Sequence, residues 1–299
     1  SLSCPARCTY CFGPHAGGPA MSGETLAAVV RWLNSLDRDG EPLEITFHGG
    51  EPLVPGTDFY RTALPALRDG LAPRPVRFGM QSNLWLLTDE LCHILAEYDV
   101  SLGTSLDGPQ PINDAQRGAG YYGRTMAGIE RARAHGMGVG CISTFTAESA
   151  ARANEVFDFF ARQGLGFGIH AALPPLGHSD DGWALSPQAH GRLLVELLDR
   201  YLAHADQIQI GTLDALCRSV STREGGSCTF GQCLGHYLAV DPEGWIYACQ
   251  RFAGMPRYRL GRVQDCPTMD DLSAAPFWQT LQARQERIEQ ECGDCPYFD

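Results

Sequence analysis

The chain has 299 residues, 44% of them hydrophobic and 19% charged, a soluble globular composition that allows one large core or two smaller ones. A formal net charge of −12 repels phosphate backbones, so no nucleic-acid partner is expected. No unbroken apolar run is long enough to cross a bilayer and no signal peptide is visible, so no membrane partner is expected either.

Twelve cysteines gathered mainly at the two ends of a long chain argue against the disulfide framework of small secreted domains. They fit metal or cluster ligation in a reducing, cytoplasmic setting. Cys92, Cys141, Cys217 and Cys266 stand apart from those groups and read as small buried side chains.

The first motif is Cys4-Pro-Ala-Arg-Cys8-Thr-Tyr10-Cys11, a Cys-x3-Cys-x2-Cys run with three thiolates inside eight residues. So short a loop wraps one small inorganic centre. The spacing suits zinc or an iron–sulfur cluster. A structural zinc wants a fourth protein ligand, for which His15 is the nearby candidate. A [4Fe–4S] cube held by three cysteines leaves one iron open for a small molecule. Such a loop normally follows a strand, so a first strand is expected upstream of Ser1.

Met21 to Leu36 reads as an amphipathic helix capped by Ser22, with Leu26, Val29, Val30 and Leu33 on one face. Leu43 to Phe47 is a strand running into His48-Gly49-Gly50-Glu51-Pro52. A helix covers about Asp58 to Arg68, and a strand from Val76 to Gln81 ends in Ser82-Asn83. Helix Thr88 to Tyr98 precedes strand Ser101 to Ser105, which ends in Leu106-Asp107-Gly108. Helix Tyr122 to His135, strand Val139 to Phe145, helix Ala147 to Gln163, strand Phe167 to Ala171 and helix Pro187 to Ala203 follow.

Strand and helix alternate five times, and the expected upstream strand makes six. Such alternation implies a parallel sheet with right-handed crossovers, curled toward a barrel. In barrels of this kind function gathers in the loops after the strands. Cys4 to Cys11, Gly49 to Glu51, Ser82-Asn83 and Ser105 to Asp107 all lie there and are expected to share one mouth.

Beyond about Ala205 the pattern changes. A helical turn near Leu213 to Cys217 leads to Cys228-Thr-Phe-Gly-Gln-Cys233. Tyr237 to Val240, the turn Asp241-Pro-Glu-Gly244 and Trp245 to Cys249 read as a β-hairpin. A helix from about Met269 to Glu289 precedes Cys292-Gly-Asp-Cys295.

These motifs resemble those of radical S-adenosylmethionine enzymes with a C-terminal SPASM extension, such as anaerobic sulfatase-maturating enzymes and peptide-modifying maturases. The likeness rests on the cysteine loop, His48-Gly-Gly-Glu51-Pro, Ser105-Leu-Asp-Gly108 and Asn113-Asp-Ala-Gln-Arg117-Gly, in order. It implies an α/β fold, a partial (β/α)6 TIM-type barrel over residues 1–204, a bridge over 205–227, and a small cysteine-rich α+β SPASM domain over 228–299. The SPASM signature continues past two cysteines, so either the chain extends beyond Asp299 or the clusters are incomplete.

By that resemblance Cys4, Cys8 and Cys11 would hold a catalytic [4Fe–4S] cluster whose open iron chelates S-adenosylmethionine. Gly49, Gly50 and Glu51 would meet the methionine ammonium. Ser105 and Arg117 would reach its ribose and carboxylate region, Ser82 and Asn83 would line the same wall, and Tyr10 would lie against the adenine. Cys228, Cys233 and Cys249 would ligate a first auxiliary [4Fe–4S] cluster, and Cys292 and Cys295 would begin a second.

The implied activity is reductive cleavage of S-adenosylmethionine to a 5′-deoxyadenosyl radical. The radical then abstracts hydrogen from a peptide or protein side chain, installing a crosslink, thioether or oxidation. An electron donor such as flavodoxin or ferredoxin is implied. Sulfatase maturases carry an aspartate base after the cysteine aligned with Cys249; here Gln250 stands there and cannot take a proton in that way. Formylglycine formation in a sulfatase remains an alternative, as does a zinc-stabilised or electron-carrying protein without radical chemistry. Asp241 is a substitute base or a turn residue; Met80 and Met126 read as core, His170 and His178 as substrate-facing or satisfied histidines.

Overall fold

The structure is a computed structural model that describes residues 1–13, 17–36, 41–174, 176, 182–223 and 233–295. Five parallel strands form its main sheet in sequential order: β1 (Leu43–Phe47), β2 (Val76–Ser82), β3 (Ser101–Ser105), β4 (Val139–Phe145) and β5 (Phe167–Ala171). Helices α1 (Gly23–Ser35), α2 (Thr57–Gly70), α3 (Asp89–Glu97), α4 (Gln110–Arg117), α5 (Tyr121–Ala134), α6 (Ala147–Ala150) and α7 (Ala153–Gln163) fill the connections and precede β1. This is the α/β half-barrel that the alternation predicts. At its far edge Ile210 makes a single parallel bridge to Phe167.

Side chains alternate along the strands. Phe78, Met80, Leu102, Cys141, Phe145, Phe167 and Ile169 are buried against the helices. The opposite, concave face carries Gly79, Gln81, Gly103, Ser105, Gly140, Ile142, Gly168 and His170. A glycine on each of β2 to β5 keeps that floor low. At Gly140 a Cβ would meet only Leu102 O, at 4.0 Å.

The helix starts follow local chemistry. Ser22 Oγ accepts from Thr25 N at 3.1 Å and Thr88 Oγ1 from Leu91 N at 3.2 Å. Some boundaries differ from the sequence reading. The helix expected over 147–163 is two helices, because the chain leaves helical geometry at Arg152 (φ −116°, ψ 25°). The helix expected over 269–289 is interrupted at Ala275, which is extended before Pro276, leaving α10 (Met269–Ser273) and α11 (Pro276–Cys292). Helix α4 was not foreseen at all.

After β5 come α8 (Pro187–Ala203) and α9 (Gly211–Thr222). Ile208, Ile210 and Leu213, in the stretch read as a bridge, pack into the core of the half-barrel. The expected hairpin forms as β6 (Ala239–Val240) and β7 (Trp245–Tyr247), and β8 (Gly261–Arg262) adds a third antiparallel strand. Cys92 and Cys141 are buried as expected, but Cys217 and Cys266 are exposed. Cys217 lies on the open side of α9 and Cys266 at a left-handed turn (φ 47°), so neither is a packing residue. Among the described residues no helix is long and apolar enough to cross a membrane.

Helix α1 serves two cores. Leu26 belongs to the half-barrel core. Ala28 and Trp32 pack instead with Ile246, Ala248, Leu260, Val263, Leu272 and Trp278 of the C-terminal unit. The Trp32 indole donates to Pro267 O at 2.9 Å. Replacing Trp32 with alanine removes the main anchor of this second core and its one hydrogen bond to the 267 loop. Chemical denaturation is expected to show a loss of about 3–5 kcal/mol. A change below about 1 kcal/mol would contradict the anchoring role.

Candidate active site

The cysteine loop lies across the ends of the parallel strands and is fixed mainly through its backbone. Thr9 N donates to Gln116 O at 2.9 Å and Cys11 N to Cys8 O at 3.2 Å. Arg7 Nη1 donates to Cys4 O and Ala6 O at 2.7 and 2.8 Å. Cys4 and Cys8 are half-buried and Cys11 is exposed. Burial pushes the Cys8 thiol up to about 11; Arg117 opposes this, while Cys11, Asp107 and Cys4 reinforce it. Cys4 is raised as well, chiefly by burial.

Two side-chain N–H groups face these sulfurs: Arg117 Nη1 at 3.9 Å from Cys8 Sγ, and Asn83 Nδ2 at 3.9 Å from Cys4 Sγ. Thiols so placed favour their protons in the bare protein, and iron in place of the protons removes that penalty. The N–H donors suit anionic cluster thiolates. The residues present therefore fit a cluster held by Cys4, Cys8 and Cys11. Among the described residues no three Cys, His, Asp or Glu side chains are grouped to hold a single metal ion.

Beneath the loop sits Asp107, fully buried at the end of β3. Its Oδ2 accepts from Tyr10 OH at 2.6 Å, Gln116 Nε2 at 2.7 Å and Arg117 Nε at 2.8 Å. Its Oδ1 accepts from Arg117 Nη2 at 2.7 Å and Thr144 N at 2.9 Å. Arg117 is 5% exposed. Burial favours the neutral guanidine, but the bidentate partner outweighs it and keeps the charge. Two arms of the fork are thus engaged with Asp107, and Nη1 is the one facing Cys8.

A second buried carboxylate organises the ends of β1 and β2. Glu51 is 1% exposed. Its Oε1 accepts from Ser82 Oγ at 2.7 Å and Leu53 N at 3.0 Å, and its Oε2 from Asn83 N at 2.8 Å. Burial raises its pKa, and these donors hold the rise down. The glycines before it admit the backbone of residues 1–3: Gly50 N donates to Ser1 O at 3.1 Å and Glu51 N to Ser3 O at 2.8 Å. A Cβ at Gly50 would lie 2.3 Å from Leu2 O and 2.5 Å from Ser3 O.

Ser105 and Gln81 meet on the concave face, where Gln81 Nε2 donates to Ser105 Oγ at 3.2 Å. Gly103 makes room for that amide, since a Cβ there would be 2.3 Å from Gln81 Oε1. His48 continues β1 onto the same side, with Nδ1 3.2 Å from Gly49 O and a pKa lowered by burial. His170 also lies on this face, and its pKa is lowered by burial and by His190.

The structure thus brings Tyr10, Glu51, Ser82, Asn83, Arg117 and the first three cysteines to one end of the sheet. Sequence reasoning missed the hub role of Asp107 and the parts played by Gln116, Thr144 and Gln81. Asp107 was visible in Ser105-Leu-Asp-Gly108, but nothing local announces that it receives Tyr10.

In the C-terminal unit Cys233, Cys292 and Cys295 are exposed and Cys249 is half-buried. Cys228, His15 and His178 lie outside the described residues. Arg251 stacks over Phe12, 5.4 Å from the ring centroid, so this unit touches the cysteine loop. Gln250 is exposed. Asp241 is a turn residue: Oδ1 accepts from Glu243 N at 2.9 Å and Trp245 N at 3.0 Å, and Oδ2 from Tyr247 OH at 2.8 Å.

The sequence profile of the Radical SAM superfamily matches residues 1–159. An uncharacterized protein of Methanothermobacter thermautotrophicus is 45% identical over 75% of this chain and 86% of its own length. The serine-type anaerobic sulfatase-maturating enzyme of Klebsiella aerogenes is 25% identical over 98% of this chain and 74% of its own. The fold matches a solved structure of native anSMEcpe with bound AdoMet and Kp18Cys peptide. Their TM-score is 0.88 at 23% identity, covering 100% of this chain and 84% of that one.

Because the Cβ of an alanine at position 50 collides with backbone rather than with a movable side chain, Gly50→Ala must displace residues 1–3 and the cysteine loop they lead into. Iron uptake on anaerobic reconstitution is expected to fall at least about fivefold, with the circular dichroism of the barrel retained. Gly23→Ala, where a Cβ meets open space, is the control. Wild-type iron content in Gly50→Ala would contradict the fit.

Proposed function

Since the chain belongs to the radical SAM superfamily, we propose that it is a maturase that removes a hydrogen atom from a peptide or protein side chain to install a crosslink, thioether or oxidation. Cys4, Cys8 and Cys11 would hold the [4Fe–4S] cluster, and S-adenosylmethionine would bind at its open iron. Together these would supply one-electron cleavage of a carbon–sulfur bond and the radical chemistry that removes the hydrogen.

The chain's own residues bind and orient. Asp107 holds Tyr10 and Arg117 in place behind the loop, and Glu51 fixes the Ser82-Asn83 turn beside Cys4. Ser105, Asn83, Tyr10 and the backbone carbonyls of Gly49 and Gly50 would face the cofactor's ribose, ammonium and carboxylate, while the Glu51 carboxylate is engaged by Ser82, Leu53 and Asn83. The glycine-floored concave face leaves depth for an entering side chain. Cys228, Cys233 and Cys249 would hold one auxiliary cluster and Cys292 with Cys295 would begin another, within a domain spanning 228–299. The position of Arg251 over the Phe12 ring supports an auxiliary centre near the cysteine loop. A small protein such as flavodoxin or ferredoxin would deliver the electron.

One observation carries this reading: three cysteines of a short loop, two of them approached by buried N–H donors, at the end of a parallel half-barrel. The peptide in the matched anSMEcpe structure supports the substrate class. Sulfatase maturation is a second reading, favoured by the sulfatase-maturating relative. It is weakened by Gln250 at the base position and by Asp241, whose carboxylate is engaged in its own turn.

Anaerobic reconstitution with iron and sulfide, then addition of dithionite and S-adenosylmethionine, is expected to yield 5′-deoxyadenosine. Joint replacement of Cys4, Cys8 and Cys11 with alanine should reduce the yield to background. Persistence of that product in the triple variant would overturn the site assignment. Co-expression with serine- and cysteine-type sulfatases separates the two readings. A formylglycine mass shift in either sulfatase would favour the second.

A further inference from the structure

We infer that the buried Asp107–Arg117 pair sets how readily the cluster at Cys4, Cys8 and Cys11 accepts an electron. Arg117 Nη1 and Asn83 Nδ2 would act as N–H donors to the Cys8 and Cys4 sulfurs. The inference rests on the cluster reading above and adds a role for the protein around it.

The guanidinium is a rigid planar fork. With Nε and Nη2 on Asp107 at 2.8 and 2.7 Å, the third arm has no freedom to turn away, and it faces Cys8 Sγ at 3.9 Å. The Tyr10 and Tyr121 rings flank it, each centroid 5.2 Å from the guanidinium carbon. Such enclosure excludes water and strengthens the field of the charge at the sulfur.

Reduction adds negative charge to a cluster, so a cationic N–H at a ligating sulfur favours the reduced form and raises the potential. Asp107 opposes this only in part, because Tyr10 OH, Gln116 Nε2 and Thr144 N also donate to it and disperse its charge. Holding the loop does not require the cation. Thr9 N to Gln116 O and Glu51 N to Ser3 O already tether it through the backbone. Arg117 is therefore a positioning residue whose signature is a potential.

An EPR-monitored redox titration of the reconstituted full chain tests this, following the reduced signal that changes on addition of S-adenosylmethionine. Removing Arg117 alone would strand a buried carboxylate, so the informative variant is Asp107→Asn combined with Arg117→Gln. At a poise that half-reduces the wild-type cluster, the double variant is expected to show a reduced-to-oxidised ratio lower by about tenfold. Asn83→Leu, which removes the donor at Cys4, should shift the ratio in the same direction and decides the matter if the double variant takes up no iron. An unchanged ratio in iron-loaded variants that still respond to S-adenosylmethionine would overturn the inference and leave the proposed function standing. A wild-type chain with no such responsive signal would overturn both.

Discussion

A single buried carboxylate does most to shape this site. Asp107 receives donors from the cysteine loop (Tyr10), from α4 (Gln116 and Arg117) and from the end of β4 (Thr144). Three separate segments are thereby referred to one point at the end of β3. A carboxylate with no access to water is costly unless each lone pair is matched, and here five hydrogen bonds match it, two of them from the bidentate Arg117 cation. Beside the loop's backbone tethers, Tyr10 is consequently pinned by chemistry that tolerates little displacement, which suits a ligand cage. Glu51 repeats the logic one strand pair away, joining the turn after β1 to the turn after β2.

Around these two carboxylates the packing is of an ordinary kind. Helices cover the apolar face of the sheet, and the glycine-rich concave face is left clear. Helix α1 then turns its other side to the C-terminal unit through Ala28 and Trp32. The cysteine-rich unit is therefore seated on the barrel by an apolar contact distinct from the site, while Arg251 reaches the loop itself at Phe12.

Strands Leu43–Phe47, Ser101–Ser105, Val139–Phe145 and Phe167–Ala171 and helix Pro187–Ala203 were legible to the residue. Alternation and caps such as Ser22 are local signals. Helix α4 was not legible, because Pro109, Pro111, Asn113 and Asp114 resemble a turn. Proline is nevertheless well suited to the first positions of a helix, where its missing N–H has no partner to lose. The candidate site was legible as motifs but not as a network. Tyr10 and Asp107 are 97 positions apart, and no periodicity links them. The resemblance has the paired glycines meet a ligand's ammonium; in the structure they make room for the backbone of Ser1 to Ser3. Cys266 was read as buried because nothing in the sequence marks its left-handed turn.

The cluster that Cys4, Cys8 and Cys11 would hold is proposed to keep one iron free to chelate S-adenosylmethionine. Electron–nuclear double resonance on the reduced protein, with S-adenosylmethionine labelled with 15N at its amino group and 17O at its carboxylate, measures this directly. Both labels are expected to show hyperfine coupling to the cluster. A reduced cluster with the cofactor bound and neither label coupled would contradict it.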